Sequence, residues 1–295
     1  MAHPGAGSAG APGDAAVMAA VIAVFLTVAM GIVRTFSEDH PGSRPMALVE
    51  MNRLIDQTNF VVDDQCSGTL VSIKRRLVLS NYHCCIEGKI KIVERDEQRP
   101  DGTMKKVRRE MRKEVRLTQK LYKEYRQVGD SNYLADILAH DRKRDLVLLQ
   151  LNADTIPHVV ESRFLPDDRQ ITRGMRVYIV GNPAMLDASM VEGIVSSVNR
   201  KIEWGVDEIA YYFQFSGGVF GGNSGGAAYS EDGYFIGVPA AGNRWATHLG
   251  FAIPVSIVKA WLREECWAEV WDATAPTYEL CKAEKAKAIA PGKDD

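Results

Sequence analysis

A serine set among glycines, GGNSGG at 221–226, has the local character of a nucleophile. Glycines on both sides let the chain turn tightly and leave room for a substrate. Such a turn can aim the backbone N–H groups of Gly222 and Ser224 at one point, where they would hold a developing oxyanion. A serine hydroxyl stays a weak nucleophile until a base takes its proton. His83 offers one, in SNYHCC at 80–85, directly after the apolar run RLVL. The base needs a carboxylate to orient it, and Asp145 opens the run DLVLLQL (145–151), where a strand end would bury it enough to fix an imidazole. Asp141 is the nearest rival, but the charged residues that follow it place it in solvent. Taken singly, each is also what a flexible loop, a packed histidine or a strand-start aspartate would supply. Together they point to hydrolysis by nucleophilic catalysis, which needs no metal or organic cofactor.

Short apolar runs must position these groups. SGTLVSI (67–73), RLVLSNY (76–82), KIKIV (89–93), DLVLLQL, RVYIVG (176–181), VEGIVSSV (191–198), YYFQF (211–215), YFIGV (234–238) and GFAIP (250–254) are separated by Gly, Asn, Asp and Pro. Many short strands with turn residues between them predict an all-β sandwich or barrel. At 255–271 the spacing changes to helical, with Val258, Trp261 and Leu262 on one face and Trp267 and Trp271 extending it. A chain of 295 residues with 46% hydrophobic and 25% charged residues has enough apolar material to fold around cores. Its net charge of −2 names no partner, no fixed repeat suggests a solenoid, and no CxxC suggests a structural zinc site.

The order His83, Asp145, Ser224 is that of the chymotrypsin-type triad rather than of subtilisin or the α/β-hydrolases. The chain resembles the trypsin-like (chymotrypsin-fold) serine peptidases, most of all the catalytic domain of their HtrA/Deg branch. CSGTLVS before SNYHC resembles the strand into the family histidine, and RDLVLLQL the strand carrying the family aspartate. VYIVGNPAMLDASMVEGIVSSV resembles the family's IGNP…GIVS stretch, GGNSGGAAYSEDGYFIGV its serine loop and next strand, and GFAIPVSIV the turn into its C-terminal helix. The motifs run in order from Cys66 to Leu262. The resemblance implies two antiparallel β-barrels with the active site in the cleft between them and a helix at the end. His83 and Asp145 would come from the first barrel, Gly222 and Ser224 from the second. Ser224 would attack the scissile carbonyl of a protein or peptide, with His83 as base and Asp145 holding its tautomer. The position of the trypsin-type specificity aspartate falls at about Gly218, so a small or medium apolar P1 residue is expected. With 33 residues after Leu262, no PDZ domain is expected. Chymotrypsin-like members also carry a disulfide beside the histidine, which implies Cys66–Cys84. Cys266–Cys281 is a weaker candidate, with Cys85 left over, and the alternative is five reduced cysteines.

Two stretches stand apart. Residues 105–126 hold ten basic residues against three glutamates, a local charge of +7. Val107, Met111, Val115, Tyr122 and Tyr125 fall at helix-like spacing, predicting an amphipathic basic helix; a β-hairpin turning at Asp101-Gly102 is the alternative for its first part. Its chemistry is that of a solvated face or a contact with an acidic partner. Residues 15–33 carry no charge, which suits a transmembrane anchor, with a cleaved signal as the rival. Arg34 and Arg44 after that run favour a cytoplasmic catalytic domain, and the cysteine pattern favours an oxidising compartment. The second carries more weight, so the expected location is membrane-anchored and extracytoplasmic, or secreted if the segment is cleaved. The expected organisation is a tail (1–14), anchor or signal (15–34), linker (35–50), first barrel (51–157) with a basic insertion (101–127), second barrel (158–254), C-terminal helix (255–272) and tail (273–295). A silent binding module on the same fold would usually have lost a triad residue, and here all three are present. A nucleic-acid protein would want stacking aromatics in a recognised fold around the basic stretch.

Overall fold

Alternating aliphatic runs bounded by turns close into two six-stranded barrels in the computed structural model. It describes residues 45–87, 91–111, 114–124, 126–186, 188–203, 209–243 and 246–289. The segment 15–33 lies outside these residues. Among the described residues, no helix is long and apolar enough to cross a membrane.

In chain order, helix α1 (Leu48–Thr58) leads into β1 (Asn59–Val62), β2 (Cys66–Ser72) and β3 (Leu77–Ser80). A single helical turn, α2 (Tyr82–Cys85), follows, then β4 (Lys91–Gln98), β5 (Met104–Met111), β6 (Val115–Lys123), β7 (Arg126–Asp141) and β8 (Leu146–Leu151). The second half comprises β9 (Arg176–Gly181), β10 (Ser189–Glu203), β11 (Ile209–Ser216), β12 (Ala227–Ser230), β13 (Phe235–Asn243) and β14 (Ala246–Pro254). Helices α3 (Val255–Glu264) and α4 (Tyr278–Ile289) complete it. The first barrel runs β1-β2-β3-β8-β7-β6 and closes where Val61 and Val62 face Thr118 and Leu117. The second runs β10-β11-β14-β13-β12-β9 and closes through β9 and β10, with Ile179 opposite Val191. Full closure removes the exposed strand edges that an open sheet would leave.

Each barrel is filled by its own side chains. Phe60, Leu70, Val78, Leu117, Val147 and Leu149 are fully buried in the first barrel's core. Phe213, Phe215, Tyr229, Phe235, Ile236 and Val238 are fully buried in the second's. At about 1.5–3 kcal/mol for each large apolar side chain taken from water, such layers dominate the folding energy. Helix α3 covers β13 and β14 with Val258, Trp261 and Leu262, the face read from the sequence.

Four expectations need correction. The described residues of 105–126 are strands, not a helix, and the alternative hairpin holds for the first part. Strands β4 and β5 pair as a two-stranded sheet, turning at Asp101-Gly102, where the Asp101 carboxylate accepts from the N–H and hydroxyl of Thr103. Strand β6 then belongs to the first barrel, with Val115 and Leu117 inside. Their period-two placement against β1 and β7 wins over the helix-like spacing, because pairing on both edges satisfies every backbone group of a central strand. Second, α1 occupies residues assigned to a linker and the barrel's start; Met51, Ile55 and Thr58, one helical face, are buried. Third, the C-terminal helix ends at Glu264, Cys266 then takes a left-handed φ of 68°, and Trp267 and Trp271 flank a 3-10 turn (Ala268–Val270). Fourth, part of the terminal tail is α4. It is tied down by Cys266–Cys281, by the stack of Trp267 on Tyr278 (4.1 Å between centroids) and by a paired contact of Arg75 with Glu279.

Candidate active site

Asp145 sits one residue before β8, in the turn from Asp141, and takes a left-handed φ of 54°. Aspartate tolerates that region better than most residues. The conformation is held by Asn81, fully buried, whose Nδ2 donates to the Asp145 carbonyl at 2.8 Å. The carboxylate then grips His83 twice. Its Oδ1 accepts from the His83 backbone N–H at 2.9 Å, and its Oδ2 lies 2.8 Å from Nδ1. A carboxylate at Nδ1 makes that nitrogen the donor and leaves the lone pair of the neutral ring on Nε2. His83 occupies the short turn α2, straight after β3, so the strand and the turn set its direction. Its side chain is 35% exposed, open enough to meet a substrate.

Asp141 does a different job. It accepts from the N–H and guanidinium of Arg144, which also pairs with Glu264 at 2.6 Å. Its side chain is 21% exposed, less than its charged neighbours suggested, because it closes the turn that presents Asp145.

Ser224 lies in the loop between β11 and β12. Its hydroxyl donates to the Ala240 carbonyl at 3.4 Å, and its own carbonyl accepts from the N–H of Ser67 at 2.8 Å, which ties it to the first barrel. Within this loop the N–H groups of Asn223, Gly225 and Gly226 bond to Phe220, Pro239 and Asn223. Among the described residues, those of Gly222 and Ser224 have no such backbone partner. Two open donors beside a serine hydroxyl are what an oxyanion site requires. Gly222 has φ 110°, and a Cβ there would lie 2.1 Å from the Asn182 carbonyl oxygen. Gly225 has φ 82°, and its Cβ would meet the Ser67 carbonyl and the Ser80 hydroxyl at 2.3 Å. No other residue type fits either position.

Sequence reasoning missed the group that sets this loop. Ser67 on β2 donates its hydroxyl to the Gly222 carbonyl at 2.6 Å and accepts from both the backbone N–H and Nδ2 of Asn182 at 2.9 Å. Asn182 is 1% exposed, and its Oδ1 accepts from Asn59 and from the N–H of Ala188. Its Nδ2 also donates to the Phe60 carbonyl at 3.1 Å. Asn182 therefore bolts the second barrel to β1 and β2 of the first, directly behind the serine loop. The one sequence signal was a buried-type asparagine between the apolar strand RVYIVG and Pro183.

The disulfide Cys66–Cys84 lies beside the histidine, and Cys266–Cys281 joins α4 to the turn after α3. The pairing implied by the resemblance and the weaker candidate are both present, and Cys85 is buried outside them. The far end of the loop meets β13 and β14: a Cβ on Gly242 would lie 2.8 Å from the Val219 carbonyl, and one on Gly250 2.5 Å from the Val219 side chain.

Two closed six-stranded barrels, with a histidine–aspartate pair from the first and a serine loop from the second, define the double-barrel class of hydrolase. The trypsin-like peptidase domain matches residues 66–238, and the chain belongs to that family. It is 31% identical over 126 residues to a probable periplasmic DegP-like serine endoprotease of Halomonas elongata, covering 42% of this chain and 25% of the relative. It is 30% identical over 146 residues to an HtrA-like serine protease of Staphylococcus aureus, covering 46% and 19%. The chain thus spans a quarter or less of the length of these relatives. Among solved structures, an HtrA-type protease, AlgW, with a decapeptide, shares the fold at a TM-score of 0.50 and 19% identity over 68% of this chain and 50% of that one.

Proposed function

We propose that this protein is a serine endopeptidase in which His83, Asp145 and Ser224 form the catalytic triad and the N–H groups of Gly222 and Ser224 the oxyanion site. The observation that carries the reading is the 2.8 Å contact between His83 Nδ1 and Asp145 Oδ2, with the lone pair left on Nε2. For attack, the Ser224 proton leaves the Ala240 carbonyl for His83 Nε2 as Oγ adds to the scissile carbonyl. Asp145 stabilises the imidazolium that results, and the negative oxygen is taken up by the Gly222 and Ser224 donors. His83 then gives the proton to the leaving amine, and water repeats the sequence on the acyl-enzyme. Each oxyanion donor is worth on the order of 10²–10³ in rate.

A small or medium apolar P1 residue fits this wall. Gly218 brings no carboxylate, and a Cβ there would meet Phe220 at 2.9 Å, while Gly242 and Gly250 crowd Val219. Residues 15–33 would hold the catalytic unit at a membrane on its extracytoplasmic side, a reading supported by their uncharged run and by the disulfides. The basic stretch 105–126 would offer an acidic partner a docking edge on the β4–β5 hairpin, where Lys105 and Lys106 are exposed.

A peptide library with all residues at P1 tests the reading. Cleavage after Ala, Val and residues of similar size, absent in Ser224→Ala, is expected. Cleavage mainly after Lys or Arg would contradict the P1 assignment, and cleavage unchanged in Ser224→Ala would contradict the triad.

A further inference from the structure

Strands β4 (Lys91–Gln98) and β5 (Met104–Met111) form a sheet of their own, outside the two barrel sheets. Among the described residues each pairs with the other and with no third strand, in an unbroken register from Lys91–Met111 to Gln98–Met104. In such a pair every second residue turns its N–H and C=O outward, so each strand carries an open backbone edge. A ribbon of two strands is marginal by itself, and a third strand is what stabilises such a sheet.

The two edges differ in charge. Strand β4 carries Lys91 and Arg95 against Glu94, Asp96 and Glu97, a sum of −1, whereas β5 carries Lys105, Lys106, Arg108 and Arg109 against Glu110, a sum of +3. The register shows what β5 accepts beside it. Glu97, Asp96 and Glu94 stand opposite Lys105, Lys106 and Arg108, while Arg109 stands opposite Val93. Strand β4 thus matches only part of the charge on β5, and Lys105 and Lys106 stay exposed. Opposite charges on neighbouring strands stabilise the pairing and like charges destabilise it. Basic residues on an open edge bar a second copy of β5, the usual protection against self-association, and by the same rule they favour an acidic strand. The edge also begins near the proposed chemistry. Lys91 follows Cys85 of α2 by six residues, so at ~3.5 Å per residue the ribbon starts within about 21 Å of the turn that carries His83.

We propose that the outer edge of β5 docks the substrate: an acidic, extended segment of the target protein, outside the stretch that is cut, adds to it as a third strand. This rests on the reading of the protein as an endopeptidase, and it names the acidic partner of the basic stretch. Strand β5 has eight residues, which sets the length of segment it can hold. Backbone hydrogen bonds along the edge supply attachment that any sequence can make, and the lysines and arginines of β5 supply the choice of an acidic one. A segment held this way raises the local concentration of the scissile bond joined to it. It is bound equally in the ground and transition states, so the gain falls on KM and leaves kcat alone.

The test uses the full chain and a peptide with a cleavable Ala-Val site, a Gly/Ser linker of about twelve residues, enough to span ~20 Å, and a strand of alternating Glu and Val. The acidic strand should lower KM at least about tenfold relative to site and linker alone, with kcat unchanged, and a strand of alternating Lys and Val should not. N-methylation separates strand addition from adsorption by charge. A strand on one edge uses the N–H groups of every second residue, so methylating one alternate set should abolish the gain and methylating the other should leave it. Lys105→Glu combined with Lys106→Glu should lose the gain yet cut the strandless peptide at the wild-type rate. Should that variant disturb the ribbon, the methylated peptides on wild type decide the matter. The proposal is overturned if the acidic strand gives no gain, if both methylated sets keep it or both lose it, or if the Lys–Val strand does as well. Fluorescence anisotropy of the labelled acidic strand covers the remaining case. Selective binding by a chain that cuts neither peptide would overturn the endopeptidase reading and leave the docking edge standing.

Discussion

Asn182 shows what a single buried amide does in this molecule. It donates to Phe60 and Ser67 and accepts from Asn59 and Ala188, and the Ser67 hydroxyl it helps orient holds the Gly222 carbonyl. Asn182→Ala leaves the Asn59 amide, the Ala188 N–H and the Phe60 carbonyl without their partner. Buried groups left so cost about 1–3 kcal/mol each. The variant should therefore unfold at lower denaturant and label more slowly at Ser224, although it touches no reacting atom. A variant as stable and as fast as wild type would show that the barrel junction does not set the serine loop. The residues proposed as the triad could be picked out because each stands beside a distinctive run: His83 after RLVL, Asp145 before LVLLQL, Ser224 among glycines. Ser67, Asn81 and Asn182 were not. Apart from the local Ala188 N–H on Asn182, their side-chain partners lie 64 to 155 residues away, and a polar residue's role is written in those partners rather than in its neighbours. The Cys66–Cys84 pair came from family resemblance, since spacing alone left the cysteines ambiguous.

At the scale of elements, short strands were readable wherever aliphatic residues clustered. The misreading at 105–126 arose because Val107, Met111 and Val115 recur every four residues, a spacing that suits a helix and also fits the same face of alternate strand positions. Helix α1 escaped notice because its buried face, Met51, Ile55 and Thr58, is only three residues wide. Helix α4 has no apolar stripe at all; tertiary ties hold it, and sequence periodicity carries no trace of those. Glu279 is one such tie. The hydrogen bond from Arg75 holds its carboxyl down at about 2, against an ordinary 4.5. A depressed folded value means that the contribution is complete above about pH 4.5 and is lost as pH falls towards 2. Because the Glu279 side chain is largely exposed, at 63%, the effect is local rather than global. We expect the fluorescence of Trp267, stacked on Tyr278 next to Glu279, to change over that window and Glu279→Gln to remove the change. An identical acid profile in Glu279→Gln would rule out this tie as the anchor of α4.

For the whole molecule, the division of labour between barrels is the central feature. The first barrel fixes the proposed base and its carboxylate, through β3, α2 and the turn before β8. The second presents a glycine loop whose shape depends on contacts back to the first, through Ser67 and Asn182. Neither barrel alone holds all the groups of the proposed site, so on this reading the chemistry requires the two to be docked. The measurement that tests this most directly is fluorophosphonate labelling of the folded chain, with the modified residue identified by mass spectrometry. Labelling confined to Ser224, absent in Ser224→Ala and reduced on the order of 10⁴-fold in Asp145→Asn, is the result expected of an assembled triad. A well-folded protein that fails to label, or that labels equally in Ser224→Ala, would contradict it.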